Sequence, residues 1–222
     1  MNRIRRSGLA LLLAAFAFPF AAPSVSNAAA AASGGTFDMT METHAAFFSA
    51  ETKQAKPLDP QVFVRDAKAQ AGTGPQNIQH AAGLRPALIA DSPKTALFNA
   101  QGKSLGFSLG KWLGARGKVH VAADTHAVTV RLTGLRPNGT YSLFENHFDQ
   151  QPIGFTPLDG SGTTNTFVAR KNGKATVTVK VPQPMSHANA VLLVYHSDNQ
   201  AHGASRGEIG VNAHHQLIAR LP

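Results

Sequence analysis

The chain has no cysteine and few aromatic residues other than phenylalanine, with one tryptophan and two tyrosines among its 222 residues. Without cysteine, neither a disulfide framework nor a thiolate metal site can form. A lipid anchor attached to a cysteine at a cleavage site is excluded for the same reason. Outside a cell, packing alone would have to stabilise such a protein.

The common catalytic motifs are also missing, because the sequence contains no Gly-x-Ser-x-Gly and no His-Glu-x-x-His. Glu42 with His44, and Asp198 with His202, have the residue types of acid-base pairs, although such spacings often arise by chance. The glycine-rich segment 203–210 lacks the strand-to-helix setting of a phosphate-binding loop. We predict a long surface loop there, suited to recognising a partner or a small ligand. The protein is predicted not to be an enzyme.

Long apolar runs are confined to the N-terminus. Arg3, Arg5 and Arg6 precede an apolar run over 9–20, and small residues follow at 26–28. This order is typical of a secretory signal peptide cleaved after Ala28, and the run is too short to span a bilayer. We therefore predict a signal peptide over 1–28 and a periplasmic or extracellular mature protein without a transmembrane segment.

Acidic residues are in deficit, with 12 Asp and Glu against 21 Lys and Arg. The basic residues after 93 stand singly or in pairs, with no run of five and few aromatic residues between them. A nucleic-acid groove needs clustered charge and stacking rings, so nucleic acid is not an expected partner. We expect a monomer with a diffuse positive surface, whose partner is a small ligand or an anionic envelope component.

Residues 29–93 differ in composition from the rest of the chain. Phe37, Met39 and Met41 alternate with polar residues, which predicts a strand. The remainder of the segment is rich in alanine, glutamine and proline, with prolines at 57, 60, 75, 86 and 93. Because proline interrupts regular structure, we expect loops with one or two short helices, packed over an edge of the main domain or mobile.

Residues 94–222 have the pattern of an antiparallel β domain. Residues 100–103 predict a hairpin, Trp112 lies in a predicted single helical turn, and Asn172-Gly173 predicts a type I′ turn between two strands. We predict an all-β, antiparallel Greek-key β-sandwich that follows the loop-rich N-terminal segment. The predicted strands from 118 onward are 118–122, 127–132, 140–145, 164–170, 175–181, 190–196 and 216–221.

Leu135, Pro137 and Tyr141 have the spacing of a tyrosine corner. The motif resembles that of fibronectin type III and related sandwiches, in which the tyrosine hydroxyl bonds back to the preceding loop. A structural role is therefore predicted for Tyr141.

The segments 130–137, 166–179 and 191–198 resemble, in order and spacing, the copper/zinc superoxide dismutase family. In that family Gly-Leu-x-Pro leads into a strand bearing two copper histidines, and a late strand supplies another. Here Leu143 and Glu145 occupy the first two positions, and only His196 falls on a ligand position. Copper redox chemistry needs several imidazoles, so dismutase activity is not expected. A divergent enzyme on this sandwich is one alternative.

Ten histidines provide the remaining candidate site residues. If strand ends meet at one end of the sandwich, the predicted ligand-binding residues are Glu145, His147, His196, Asp198 and His202. A second alternative is a copper- or zinc-binding protein, because imidazole and thioether are suitable ligands for these ions. Its candidate ligands are His196, His202, His187 and Met185.

Overall fold

The computed structural model of the chain describes residues 36–122 and 126–222, and the predicted signal peptide lies outside them. The described part is mostly β-strand, with two short helices, α1 (His44–Glu51) and α2 (Leu109–Leu113). The strands, in chain order, are β1 (Phe37–Thr43), β2 (Leu58–Arg65), β3 (Gly72–Thr73), β4 (Gln79–His80), β5 (Leu84–Leu88), β6 (Ala96–Phe98), β7 (Ser104–Ser108), β8 (Arg116–Ala122), β9 (Ala127–Thr133), β10 (Thr140–His147), β11 (Gly154–Pro157), β12 (Thr166–Val168), β13 (Ala175–Lys180), β14 (Asn189–His196) and β15 (Ala213–Arg220).

The main sheet has the strand order β11-β10-β14-β15-β1-β8-β9-β13, with β12 also paired to β10, and all its pairs are antiparallel. Strand β1 joins the two halves, because residues 37–41 pair with β8 and residues 42–43 pair with β15. The connections from β9 to β10, from β12 to β13 and from β13 to β14 each cross between the halves, as in a Greek key. The predicted all-β fold is confirmed.

The core lies between these two halves. Val130 of β9 and Leu193 of β14 are fully buried in one apolar cluster that draws on both. Strand β14 is buried on both faces, which explains its continuous apolar sequence. Its second face packs in another cluster with Phe144 and Ile218, against which Phe47 of α1 also packs. The outer face of β10, β14 and β15 is therefore covered rather than exposed to solvent.

The N-terminal segment is more regular than predicted. Strand β1 is central in the main sheet, and β2 and β5 belong to a second sheet of order β5-β2-β6-β7. The predicted boundary at residue 94 therefore does not separate two structural parts. Pro86 is tolerated because β5 is an edge strand, and Pro60 lies within an irregularity in the pairing of β2. The predicted strand at Phe37 and the short helices, α1 and a 3-10 turn at Pro75–Asn77, are present.

The turn at Asn172-Gly173 differs from the prediction, whereas the hairpin at 100–103 and the helical turn at Trp112 are confirmed. Strand β12 pairs with β10 and β13 pairs with β9, so the turn does not join paired strands. The φ angle is positive at Gly173 but not at Asn172, which rules out type I′ geometry. A Cβ atom on Gly173 would lie 2.5 Å from the Leu135 carbonyl oxygen, so close packing also requires glycine here.

The tyrosine corner is present. The Tyr141 hydroxyl accepts a hydrogen bond from the Arg136 backbone N–H at 2.9 Å. Burial raises the pKa of Tyr141, which keeps its phenol protonated. Tyr141 packs against Phe167 and Tyr195, with ring centroids 5.8 Å and 5.3 Å away. No helix in the described residues is long and apolar enough to cross a membrane.

Candidate functional site

The structure does not bring the five predicted ligand-binding residues to one end. In the β10–β14 pair, His147 lies opposite Asn189 and His196 lies opposite Thr140. Because a strand rises about 3.3 Å per residue, these two ends are roughly 23 Å apart. Glu145 and His147 are therefore separated from His196, Asp198 and His202, and the predicted common binding end is wrong.

At the Asn189 end, the candidates have structural partners. His147 contacts the Thr156 hydroxyl at 2.9 Å and the Asn189 side-chain amide at 3.1 Å. Burial raises the pKa of the Glu145 carboxyl. Met185 is only 3% exposed and belongs to the main core, whereas His187 is exposed. Met185 is thus an apolar packing residue.

At the other end, His196 and His202 are neighbours, with ring centroids 4.9 Å apart. His196 Nε2 lies 2.8 Å from the Ser142 hydroxyl, and His202 contacts the Asp198 carboxylate at 3.1 Å. Burial lowers the pKa of His196 to about 4. Within residues 36–122 and 126–222, no group of three or more His, Cys, Asp or Glu side chains could hold a metal ion. The copper or zinc alternative has no such centre there.

A cavity of about 570 Å³ lies on the covered outer face of β10, β14 and β15. Five other parts of the chain contribute to its walls: helix α1 with Thr52 after it, Gln61 of β2, Gln76 of the 3-10 turn, residues 148–155, and the loop 197–212. Thr43 begins α1, because its hydroxyl accepts a hydrogen bond from the Ala46 N–H. The residues lining the cavity are His44, Phe47, Phe48, Glu51, Thr52, Gln61, Gln76, Asn146, Phe148, Gln151, Pro152, Ile153, Phe155, Arg206, Ile209 and His215. We call this cavity the Arg206 pocket.

Arg206 is the central charged group of the pocket. Its guanidinium stacks on Phe155, with the Cζ atom 3.3 Å from the ring centroid. No Asp or Glu of the described residues lies within ion-pair distance of it. Burial lowers the pKa of Arg206 to about 10, so the group remains charged at neutral pH. The pocket therefore holds a half-buried cation that has no counter-ion among the described residues.

Two hydrogen-bond donors face the His215 ring, which can accept from only one of them. Arg206 donates to His215 Nε2 at 3.2 Å, and the Gln61 side-chain NH₂ approaches His215 Nδ1 at 3.1 Å. Gln61 is held in this orientation because its Oε1 accepts from the His215 backbone N–H at 2.6 Å. A neutral imidazole accepts at only one nitrogen, so it cannot accept from both donors. An additional acceptor beside Arg206 would remove this mismatch.

Two further buried polar atoms on the pocket wall have no hydrogen-bond partner in the described residues, His44 Nδ1 and Asn146 Oδ1. Burial, with a smaller contribution from Arg206, lowers the pKa of His44 to about 3. Burial also lowers the pKa of His215 well below its usual range. Both rings are neutral at pH 7, and they pack edge to face with centroids 4.9 Å apart. Buried polar atoms are normally paired, so the His44 Nδ1 and Asn146 Oδ1 atoms are exceptions to that rule.

The rest of the wall is largely apolar. Phe47 packs against Phe148 with ring centroids 5.8 Å apart, and both rings belong to the cluster on this face. The one acidic lining residue, Glu51, forms an ion pair with Arg220 at 3.1 Å. Among the described residues, the pocket thus combines one cation without an ion-pair partner, unsatisfied polar atoms and aromatic walls. Such a combination suits an anionic group attached to an apolar body.

Sequence reasoning identified only part of this pocket. Arg206 and Ile209 lie in the loop predicted to recognise a ligand, and His44 was considered for an acid-base pair. Within the described residues, His44 and Glu42 form no hydrogen bond with each other, and the His44 ring packs against His215 instead. Asn146 and Phe155 gave no signal in the sequence, because their role arises only when β10 and β11 pair.

Comparisons with protein-family models, with curated proteins and with solved structures give no match to this chain.

Proposed function

We propose that this protein is an exported, non-catalytic binding module that holds a small organic anion in the Arg206 pocket. The observation that carries the proposal is the half-buried Arg206 guanidinium without a carboxylate partner in the described chain. The export part rests on the signal-peptide pattern of residues 1–28.

A half-buried charge without a partner bears part of the cost of removing an ion from water, and a bound carboxylate would reduce that cost. Transfer of an ion from water into a protein interior is unfavourable unless the ion is paired and hydrogen-bonded. A guanidinium presents two parallel N–H groups that fit a carboxylate or a phosphate. A ligand carboxylate would also provide the acceptor that His215 cannot provide while it accepts from Gln61.

The size and walls of the pocket favour a small molecule with an apolar body. Its volume of about 570 Å³ falls in the range of small-molecule sites. Phe47, Phe148 and Phe155 offer rings for packing.

The proposal predicts that aromatic and branched aliphatic carboxylates bind, whereas their uncharged amides do not. We expect calorimetric titration of residues 29–222 with benzoate, 3-phenylpropanoate and 4-methylpentanoate to show binding that the matching amides lack. Arg206→Gln should weaken carboxylate binding at least about tenfold, as expected for the loss of a charge-assisted hydrogen bond in a buried site.

Arg65→Gln is the matched control, because Arg65 also stacks on a ring, Phe98 at 4.5 Å, but does not line the pocket. Its carboxylate affinity should equal that of the parent protein. Equal binding of acids and amides, or an unchanged affinity in Arg206→Gln, would refute the proposed function.

A further inference from the structure

A second groove, independent of the Arg206 pocket, lies on the outer face of the other half of the main sheet. Its volume is about 510 Å³, and it is formed by β1, β8, β9, the start of β13 and the turn before β13. All five of its charged lining residues are exposed cations: Arg116, Lys118, Arg131, Arg170 and Lys174. The sequence suggested dispersed positive charge, but the sheet gathers these five residues in one place.

The strand register explains the convergence. Lys118 of β8 lies directly opposite Arg131 of β9, and Thr40 and Thr176 continue the same row on β1 and β13. Like charges placed directly opposite each other on neighbouring strands destabilise a sheet. No acidic residue among those lining the groove offsets this repulsion. Asp38, in the next row on this face, contacts His120 at 3.0 Å.

Two further elements add charge at the edge of the groove. Arg116 is held in place, since its guanidinium donates to the carbonyls of Leu113 and Ala115 at 2.8 Å and 2.7 Å. The Arg170 backbone N–H donates to the Lys174 carbonyl at 3.0 Å, which fixes the turn that carries both cations. The groove is thus built from ordered backbone positions rather than from a flexible basic tail.

The spacing of the cations indicates the kind of anion. Neighbouring strands are about 4.8 Å apart, and residues two apart on one face of a strand are about 6.7 Å apart. Cations at these separations match an anion whose charged groups recur at similar intervals. The uncharged lining residues are Thr40, Gly117, Leu132, Thr133, Ala175 and Thr176, and none offers a ring on which a nucleic-acid base could stack.

We propose that this groove binds an anion carrying several closely spaced phosphate or sulfate groups. Such a ligand would neutralise the facing Lys118 and Arg131 charges together, which a single orthophosphate does less completely. Two sources share this chemistry, a linear inorganic polyphosphate and a sulfated glycan, and the test separates them.

The test measures binding of tripolyphosphate, a sulfated hexasaccharide and orthophosphate to residues 29–222 by calorimetry at two salt concentrations. We expect both multivalent anions to bind more tightly than orthophosphate, with affinities that fall as salt increases. Tighter binding of tripolyphosphate supports a phosphate polymer as the ligand, and tighter binding of the hexasaccharide supports a sulfated glycan.

The decisive variant is the double change Lys118→Gln with Arg131→Gln. It should weaken multivalent anion binding by about tenfold or more, while the relief of repulsion preserves folding. The matched control is Lys68→Gln with Lys103→Gln, which removes the same charge from exposed residues outside the groove. The proposal would be overturned if the two double variants lost affinity equally, or if the multivalent anions bound no more tightly than orthophosphate. It would also be overturned if oligo-dT bound more tightly than either multivalent anion.

Discussion

At the scale of single residues, one hydroxyl holds the loop that precedes β10. The Tyr141 hydroxyl accepts from the Arg136 backbone N–H, while the Arg136 guanidinium donates to the Tyr195 hydroxyl. Both tyrosine rings are fully buried in the main core. The same loop is therefore fixed from two sides, once through its backbone and once through a side chain.

Tyr141→Phe should lower the free energy of unfolding by about 1–3 kcal/mol, because it leaves the Arg136 N–H without an acceptor. Urea unfolding followed by circular dichroism measures this change. Tyr195→Phe is the control, and we expect a smaller loss, since the Arg136 side chain is only half-buried and can bond to water. A Tyr141→Phe variant as stable as the parent would show that the corner is dispensable.

At the scale of secondary-structure elements, the sequence pattern was reliable wherever a strand alternates or is continuously apolar. Strands β8, β9, β10, β13, β14 and β15 lie where they were predicted, within a few residues. Strands β2 and β5 were missed because Pro60 and Pro86 suggested loops. Proline is tolerated in these two strands because β5 is an edge and β2 is irregular at Pro60, and only the pairing reveals this.

Lys118→Glu should stabilise the β8–β9 pair by about 0.2–1 kcal/mol, because it replaces a repulsive pair with an attractive one opposite Arg131. Thermal unfolding at low salt measures the change. Lys180→Glu alters the charge equally but lies opposite Ala127, so it should have little effect. A loss of stability in Lys118→Glu would contradict the inferred repulsion.

At the scale of the whole molecule, buried histidines make the fold sensitive to acid. Burial lowers the pKa of His44 to about 3, of His196 and His214 to about 4, and of His215 well below its ordinary value. Each contributes stability that is present above pH 6.5 and is lost as the pH falls, because only the unfolded chain then binds the proton.

Asp59 acts in the opposite direction. Burial raises the pKa of its carboxyl to about 6, although Trp112 donates to it at 2.8 Å. In the folded state Asp59 therefore takes up its proton at higher pH, and its contribution to stability is lost as the pH rises from about 4 to 6. Four histidines against one aspartate leave a net uptake of up to three protons on unfolding in this range, and the raised carboxyl pKa values of Glu42 and Glu145 reduce this number.

The unfolding free energy should therefore fall by up to about 4 kcal/mol per pH unit between pH 6 and pH 4. Domain stabilities are about 5–15 kcal/mol, so we expect acid unfolding within this interval. Urea titrations at pH 7, 6 and 5, compared at constant ionic strength, measure the slope. Stability that stays constant from pH 7 to pH 5 would contradict the burial of these rings in neutral form.

The sequence by itself determined the β class, most strand positions and the tyrosine corner. These features depend on local patterns: apolar alternation, a continuous apolar strand, and the fixed spacing of Leu135, Pro137 and Tyr141. The loop that carries Arg206 was likewise predicted from its glycines and its length.

Only the tertiary structure decided which residues share a site. His147 and His196 were both predicted to bind a ligand at one end of the sandwich, but the pairing of β10 with β14 places them at opposite ends. The pairing of β8 with β9 places Lys118 beside Arg131. The same pairing brings Phe155 next to Asn146, and the chain fold places Arg206 against Phe155. Local patterns fix strands because propensity and burial act over a few residues, whereas a site depends on register and on contacts between residues far apart in the chain.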